Sequence, residues 1–232
     1  MSKEKLIEIA KINKEHAVNG TMELVDDIVR IPASNYYDQE RWQKEIDFIF
    51  KRLPLVLGVS NEIPNSGDYK AMEVVGVPVL ISRSKSGEIR AFLNSCRHRG
   101  AAILKPGKGN TSRFGCPYHG WTYSEDGSLI GISSSHEFGD IDKSCHSLIS
   151  LPVLEKAGLI WVTLNPESNL SIDSYLSGYD EMLSHFGFED WHVFDVRSLK
   201  GPNWKVAYDG YLDLYHLPVL HKDTFGDTYP NQ

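Results

Sequence analysis

Two short stretches constrain this chain more than anything else in it: Cys96-Arg97-His98-Arg99-Gly100 and, with 17 residues between His98 and Cys116, Cys116-Pro117-Tyr118-His119-Gly120-Trp121. Two mixed Cys–His pairs suit a two-iron, two-sulfur centre of mixed ligation. One iron takes two thiolates, and the other takes two imidazoles, whose neutral nitrogens raise the reduction potential. Each pair can form one of two loops gripping such a cluster from either side. Arg97, Arg99, Gly100, Gly115 and Gly120 suit loops that bend tightly and aim backbone N–H groups at bridging sulfides. The same four ligands also satisfy tetrahedral zinc, although zinc sites usually pair Cys with Cys and His with His at short spacing.

The two motifs, CRHRG and CPYHGWTY, resemble the cluster-binding signature of Rieske proteins, in particular the large (alpha) subunits of Rieske non-haem iron oxygenases, the ring-hydroxylating dioxygenase family. By that resemblance Cys96, His98, Cys116 and His119 are the ligands of a Rieske 2Fe–2S cluster. The third cysteine, Cys145, is left over, and it reads as a loop or buried thiol rather than as a reactive partner of His146.

The length of 232 residues allows one large or two small domains, and 41% hydrophobic content is ordinary for a chain with a real core. A net charge of −7 argues against nucleic acid, whose binding rests on clustered Lys and Arg. No apolar stretch is long enough for a bilayer, and the N-terminus is charged, so the expectation is a soluble, cytoplasmic protein with no membrane partner.

Residues 1–52 read as an N-terminal helical segment: Leu6, Ile9 and Ile12 recur at helical spacing, Thr21 is a candidate cap for a helix to Ile28, and Asp38 caps a helix to Arg52. Residues 53–166 read as an all-β unit with strands at 55–59, 69–75, 77–83, 88–94, 113–116, 121–123, 128–130, 148–154 and 158–164. Ser84-Lys85-Ser86-Gly87 is a hairpin turn, and residues 132–147 form a long polar loop. Residues 165–169 are a linker. Beyond it, Tyr175, Tyr179, Met182 and Phe186 predict an amphipathic helix, and 192–199 alternates like a strand. His185 and His192 read as ordinary surface or core histidines.

The last informative stretch is Asn203-Trp204-Lys205 followed by Asp209, Asp213, His216 and His221. A helix from Trp204 to Leu217 puts Asp209, Asp213 and His216 on one face, and a break at Pro218 swings His221 back beside His216. This resembles the second signature of the same oxygenases. The resemblance makes His216 and His221 ligands of a mononuclear non-haem Fe(II), and Asp213 a carboxylate bridging that iron to a Rieske histidine of a neighbouring subunit. Asp209 becomes an outer-shell group of the iron, at a place where many relatives carry a different pair of residues from Tyr208-Asp209. A facial triad needs a third, carboxylate ligand, which relatives supply far downstream; nothing marks Asp223 or Asp227 as a replacement. Residues 167–232 therefore read as the incomplete start of a catalytic domain, in a chain truncated at its C-terminus.

The fold expected is α+β: an all-β Rieske domain, an antiparallel sandwich with two cluster loops, flanked by N-terminal helices and the first part of a helix-grip catalytic domain. The function the resemblance implies is that of a terminal oxygenase component. It takes electrons from a reductase or ferredoxin and uses O2 to hydroxylate, dihydroxylate or demethylate a small organic, typically aromatic, substrate, in a trimeric or hexameric ring of like subunits. The rival readings are a Rieske electron carrier or inactive remnant without a complete iron site, and a zinc-stabilised binding module.

Overall fold

A computed structural model describes residues 2–225, so Asp227 lies outside the described residues. Residues 39–207 form one compact unit, and residues 2–38 cluster with residues 208–225 in a second.

The second unit begins with α1 (Lys3–Asn19), capped by the Ser2 hydroxyl. Gly20, at φ 61°, ends it, and the N–H groups of Gly20 and Thr21 both return to the His16 carbonyl. Thr21 also bonds the His16 ring through its hydroxyl, 3.0 Å away. The threonine read as the start of a helix thus closes the previous one, and no helix forms over 21–28. Ser34–Tyr37 (α2) is a single turn.

The larger unit opens with α3 (Gln39–Glu45), which widens into a π turn over Ile46–Phe50. Then come β1 (Leu55–Val59), β2 (Asp68–Val74), β3 (Val77–Arg83), β4 (Ile89–Leu93), β5 (Gly107–Asn110), β6 (Arg113–Gly115), β7 (Thr122–Ser124), β8 (Leu129–Gly131), β9 (Val153–Lys156) and β10 (Leu159–Val162). They make three antiparallel sheets, ordered β1-β10-β9, β4-β3-β2-β5 and β6-β7-β8. The α+β architecture is the one expected.

Alternation on β3 sets the layers. Val79 and Ile81 face a core shared with Ile160 and Val162 of β10, while Leu80 faces a second core containing Phe92, Phe114, Tyr123 and both Cys96 and Cys116. A third cluster packs Leu159 and Trp161 against Ile172 and Leu176 of α4 (Ile172–Leu176). Two-residue turns at Val75-Gly76 and Ala157-Gly158, all four with positive φ, join β2 to β3 and β9 to β10 with the hand that suits twisted hairpins.

Several expectations are corrected. The strand expected over 148–154 is broken: it meets β4 in a single isolated bridge, Ser150 opposite Phe92, closed by the bonds Leu93 N–H to Ile149 O (2.9 Å) and Leu151 N–H to Ala91 O (2.8 Å), and after Pro152 it resumes as β9 in a different sheet. The Gly-Lys-Gly-Asn strand β5 was invisible because nothing in it favours a strand; it pairs with β2, and Tyr69 lies so close over Gly109 that an added Cβ would meet the phenol oxygen at 2.7 Å. The helix expected over 175–186 is split into α4 and α5 (Tyr179–Ser184) by Ser177 and Gly178, both left-handed. Residues 192–199 alternate but have no partner strand among the described residues, and Phe194 is 93% exposed.

The helix expected from Trp204 to Leu217 stops at Leu212 (α6, Trp204–Leu212), because the Asp213 carboxylate accepts the Tyr215 N–H and forms a turn. Leu217–Leu220 (α7) and Lys222–Phe225 (α8) follow. Pro218 sits in the first turn of α7, where its missing N–H costs nothing.

The start of α6 is anchored by buried Glu45, which accepts hydrogen bonds from Trp204 Nε1 (2.9 Å) and Lys205. Burial raises the Glu45 pKa, but the bonds from Lys205 and Trp204 outweigh it and hold the carboxyl below its ordinary value.

Candidate functional site

The two Cys–His loops leave the sheets at adjacent edges and close alike. In the first, which follows β4, the Cys96 N–H donates to the Ala101 carbonyl at 2.8 Å and the Gly100 N–H to the Cys96 carbonyl at 2.8 Å. In the second, between β6 and β7, the Cys116 N–H donates to Trp121 O at 2.7 Å and the Gly120 N–H to Cys116 O at 3.0 Å. Gly100 and Gly120 have φ of 73° and 68°, a conformation that strains any side chain. The first loop is tied down by buried Asn94, whose side-chain oxygen accepts the N–H groups of Ile103 and Leu104 and whose amide donates to Leu104 O.

This doubled geometry brings the four expected ligands together in pairs. Cys96 and Cys116 are buried free thiols in one core, and the His98 and His119 rings lie 4.6 Å apart. His98 Nδ1 is buried with no hydrogen-bond partner, as an atom reserved for a metal would be. The residues present therefore fit a cluster bound by two thiolates and two imidazoles. Burial, with the charges of His119 and Arg99 nearby, holds the His98 imidazole below its ordinary pKa, so it stays neutral and able to donate a lone pair.

Three surrounding residues had no assigned role from sequence. The Trp121 indole stacks on His98, centroids 5.0 Å apart and planes 8° apart. Tyr123, fully buried, has its hydroxyl 3.3 Å from Cys96 Sγ and accepts the Arg97 N–H at 3.0 Å. Burial and the Cys96 contact push its pKa up, so it remains a phenol that can donate to a thiolate. Phe138, from the 132–147 loop, sets its edge against His98 at 5.8 Å. Trp121 and Tyr123 are letters of the second motif itself, but only the fold shows what they touch. The 132–147 loop is ordered by two 3₁₀ turns, Ser135–Glu137 and Lys143–His146. In the second, Cys145 is exposed with its thiol on Asp142, and the His146 ring is held by Asp142 O. His185 bonds Glu181 O at the surface.

In the smaller unit, His216 precedes α7 and His221 follows it, which brings their rings to 5.5 Å between centroids. Asp213 Oδ2 lies 3.6 Å from His216 Nδ1. The shared helical face expected for Asp209, Asp213 and His216 does not exist, since α6 ends before Asp213. Asp209 accepts a hydrogen bond from the Tyr36 hydroxyl at 2.7 Å instead. Among the described residues no three His, Cys, Asp or Glu side chains converge on one metal position. Asp223, in α8, is exposed. No helix among the described residues is long and apolar enough to cross a membrane.

Comparison with known proteins follows the same two-part layout. Residues 54–150 match the family described as "Rieske [2Fe-2S] domain", and residues 188–232 match "Ring hydroxylating alpha subunit (catalytic domain)". The chain is 30% identical over 203 residues to the anthranilate 1,2-dioxygenase large subunit of Acinetobacter baylyi, a match that covers 84% of this chain and 43% of that protein. The crystal structure of a quaternary ammonium Rieske monooxygenase in complex with an inhibitor superposes with a TM-score of 0.77 at 28% identity, covering 84% of this chain and 55% of that one. Naphthalene 1,2-dioxygenase from Rhodococcus sp., bound to indole, gives a TM-score of 0.75 at 32% identity, covering 84% and 46%. The chain thus spans less than half the length of the curated relatives it matches, such as the 43% and 44% covered of the anthranilate and biphenyl dioxygenase subunits. It belongs to the family of Rieske non-haem iron oxygenase alpha subunits.

Proposed function

We propose that residues 53–166 bind a Rieske cluster and that the chain is the electron-receiving and iron-binding part of an oxygenase acting on a small organic molecule. The observation that carries this reading is the pair of identically closed loops around Cys96/His98 and Cys116/His119, with His98 Nδ1 buried and unpaired. Cys96 and Cys116 hold one iron as thiolates, and His98 and His119 hold the other. His216 and His221, whose rings are already neighbours, hold the mononuclear iron. When bound, the cluster supplies single electrons and the mononuclear iron supplies a site for O2.

The chain's own residues do the positioning. The Gly100 and Gly120 turns fix the cysteine carbonyls, each of which accepts the glycine N–H of its own loop. Asp213 lies beside His216, where a carboxylate can accept the imidazole N–H, fix its tautomer and connect it to a second imidazole on a neighbouring subunit. Residues 167–232 then belong to the catalytic domain. Relatives named for anthranilate and for quaternary ammonium compounds support a small organic substrate, hydroxylated, dihydroxylated or demethylated, with a reductase or ferredoxin as electron donor and like subunits in a ring.

Iron and acid-labile sulfide per chain, measured on anaerobically purified protein, test this reading. Two irons and two sulfides establish the cluster, and a third iron lost in a His216→Ala/His221→Ala variant establishes the second site. Cys96→Ala or His119→Ala abolishes the Rieske paramagnetic signal of the reduced protein. Two irons with no third, in any preparation, would leave an electron carrier, and metal without sulfide would return the site to zinc.

A further inference from the structure

Trp121 Nε1 is a buried donor with no acceptor, and it sits on the ring whose own Nδ1 is also buried and unpaired. Among the described residues only Ser60 Oγ and Thr163 Oγ1 share that condition, so half of the orphaned buried polar atoms meet in one pair of stacked rings. A buried N–H left unpaired forfeits its bonds to water with nothing in return, and native structures rarely leave one so.

The two nitrogens cannot satisfy each other. An indole or imidazole N–H donates in the plane of its ring, and the planes here are 8° apart and stacked. The indole cannot turn to water either. Trp121 is 3% exposed, the edges of Phe138 and His146 lie 6.2 and 5.7 Å from it, and its own carbonyl holds the Cys116 N–H. Indole is a donor only, so what is missing is an acceptor. Neither cysteine sulfur of the site accepts from Nε1, which leaves a group that enters between the loops.

We propose that Trp121 Nε1–H donates a hydrogen bond to a sulfur of the iron–sulfur cluster, so that Trp121 is a positioning and tuning residue of the centre. The inference rests on the cluster reading above. Two buried orphan nitrogens are completed in one event: His98 Nδ1 as ligand and Trp121 Nε1 as donor. A donor aimed at sulfur stabilises the state that carries the extra electron and raises the reduction potential.

The test uses the reduced holoprotein carrying tryptophan labelled with ¹⁵N in the indole. Pulsed paramagnetic spectroscopy is expected to show one indole ¹⁵N and one exchangeable proton coupled to the cluster, both lost in W121F. Replacing Trp121 by benzothienylalanine keeps the fused rings and removes only the N–H. That variant is expected to shift the equilibrium with a redox mediator about tenfold toward the oxidised protein, which is about 59 mV for a one-electron couple. A Rieske spectrum without indole coupling in the labelled parent, or an unchanged potential in the benzothienyl variant, overturns the proposal and leaves the cluster reading standing. Absence of the Rieske spectrum overturns both. If W121F does not assemble, the labelled parent alone decides.

Discussion

Tyr123→Phe removes one oxygen atom from a fully buried ring and leaves that ring's packing in place. Two contacts are lost with it: the 3.3 Å approach to Cys96 Sγ and the acceptor of the Arg97 N–H at 3.0 Å. Each net hydrogen bond is worth about 1 kcal/mol, and the stranded Arg97 N–H adds part of a desolvation penalty, so the unit should lose about 1–2 kcal/mol. For a domain of this size that lowers Tm by about 3–8 °C. The redox consequence follows from the same bond, because a phenol donating to a thiolate is held more tightly when the centre carries the extra electron. A difference of about 1 kcal/mol between oxidation states lowers the potential by roughly 40 mV for one electron. The assay is protein-film or mediator titration of the variant beside the parent, with thermal unfolding of both. A potential unchanged within about 10 mV, together with an unchanged Tm, would refute the claim that Tyr123 acts on Cys96.

Three further outcomes follow from the fold. Gly127→Ala places a Cβ 2.4 Å from the Phe92 ring at a residue with φ 87°, so overpacking and backbone strain together should cost about 3 kcal/mol, read from denaturant unfolding; a loss below about 1 kcal/mol contradicts the packing described. Ala157→Asn, at φ 53° before Gly158, should stabilise the β9–β10 hairpin by about 0.5–1 kcal/mol, since Asn tolerates that conformation better than Ala; a destabilised variant would mean the turn has other contacts. For Glu45, Glu62 and Glu155 burial is the largest single influence and raises the pKa, but the hydrogen bonds and charges of their several partners, Lys205, Lys70 and Arg83 foremost, together outweigh it and hold each below the ordinary 4.5. Their depressed values add stability that is present above that pH and disappears as pH falls through the folded values. Tm should therefore be level above about pH 5 and drop below pH 4.5, and a Tm that rises on acidification would reverse the sign.

Much of the β unit was legible because its strands carry their own signal. Val77–Arg83 and Leu159–Val162 are short apolar runs rich in β-branched residues and buried on both faces, and both lie where that composition puts a strand. The failures share a cause. Residues 192–199 alternate without a partner, and Gly107–Asn110 has a partner without any alternation, because strand formation depends on what lies beside a segment as much as on its composition. The Asp209–His216 stretch failed through local competition: the Asp213 side chain takes the Tyr215 N–H, which a continuing helix would have paired with the carbonyl four residues back.

For the site, the sequence by itself determined the chemistry and the loops. Ligand types, their mixed pairing and the glycines that let the loops turn are properties of residues within a few positions of each other, so spacing alone reports them. Only the tertiary structure decided which atoms face the site. Tyr123 reaches Cys96 across 27 positions, Phe138 reaches His98 from a loop with no periodicity, and Trp121 Nε1 is left without an acceptor. The physical reason is that hydrogen bonds and stacking depend on sheet register and on the burial that accompanies it, and these are set by the packing of two cores on opposite faces of β3 rather than by any local run of residues.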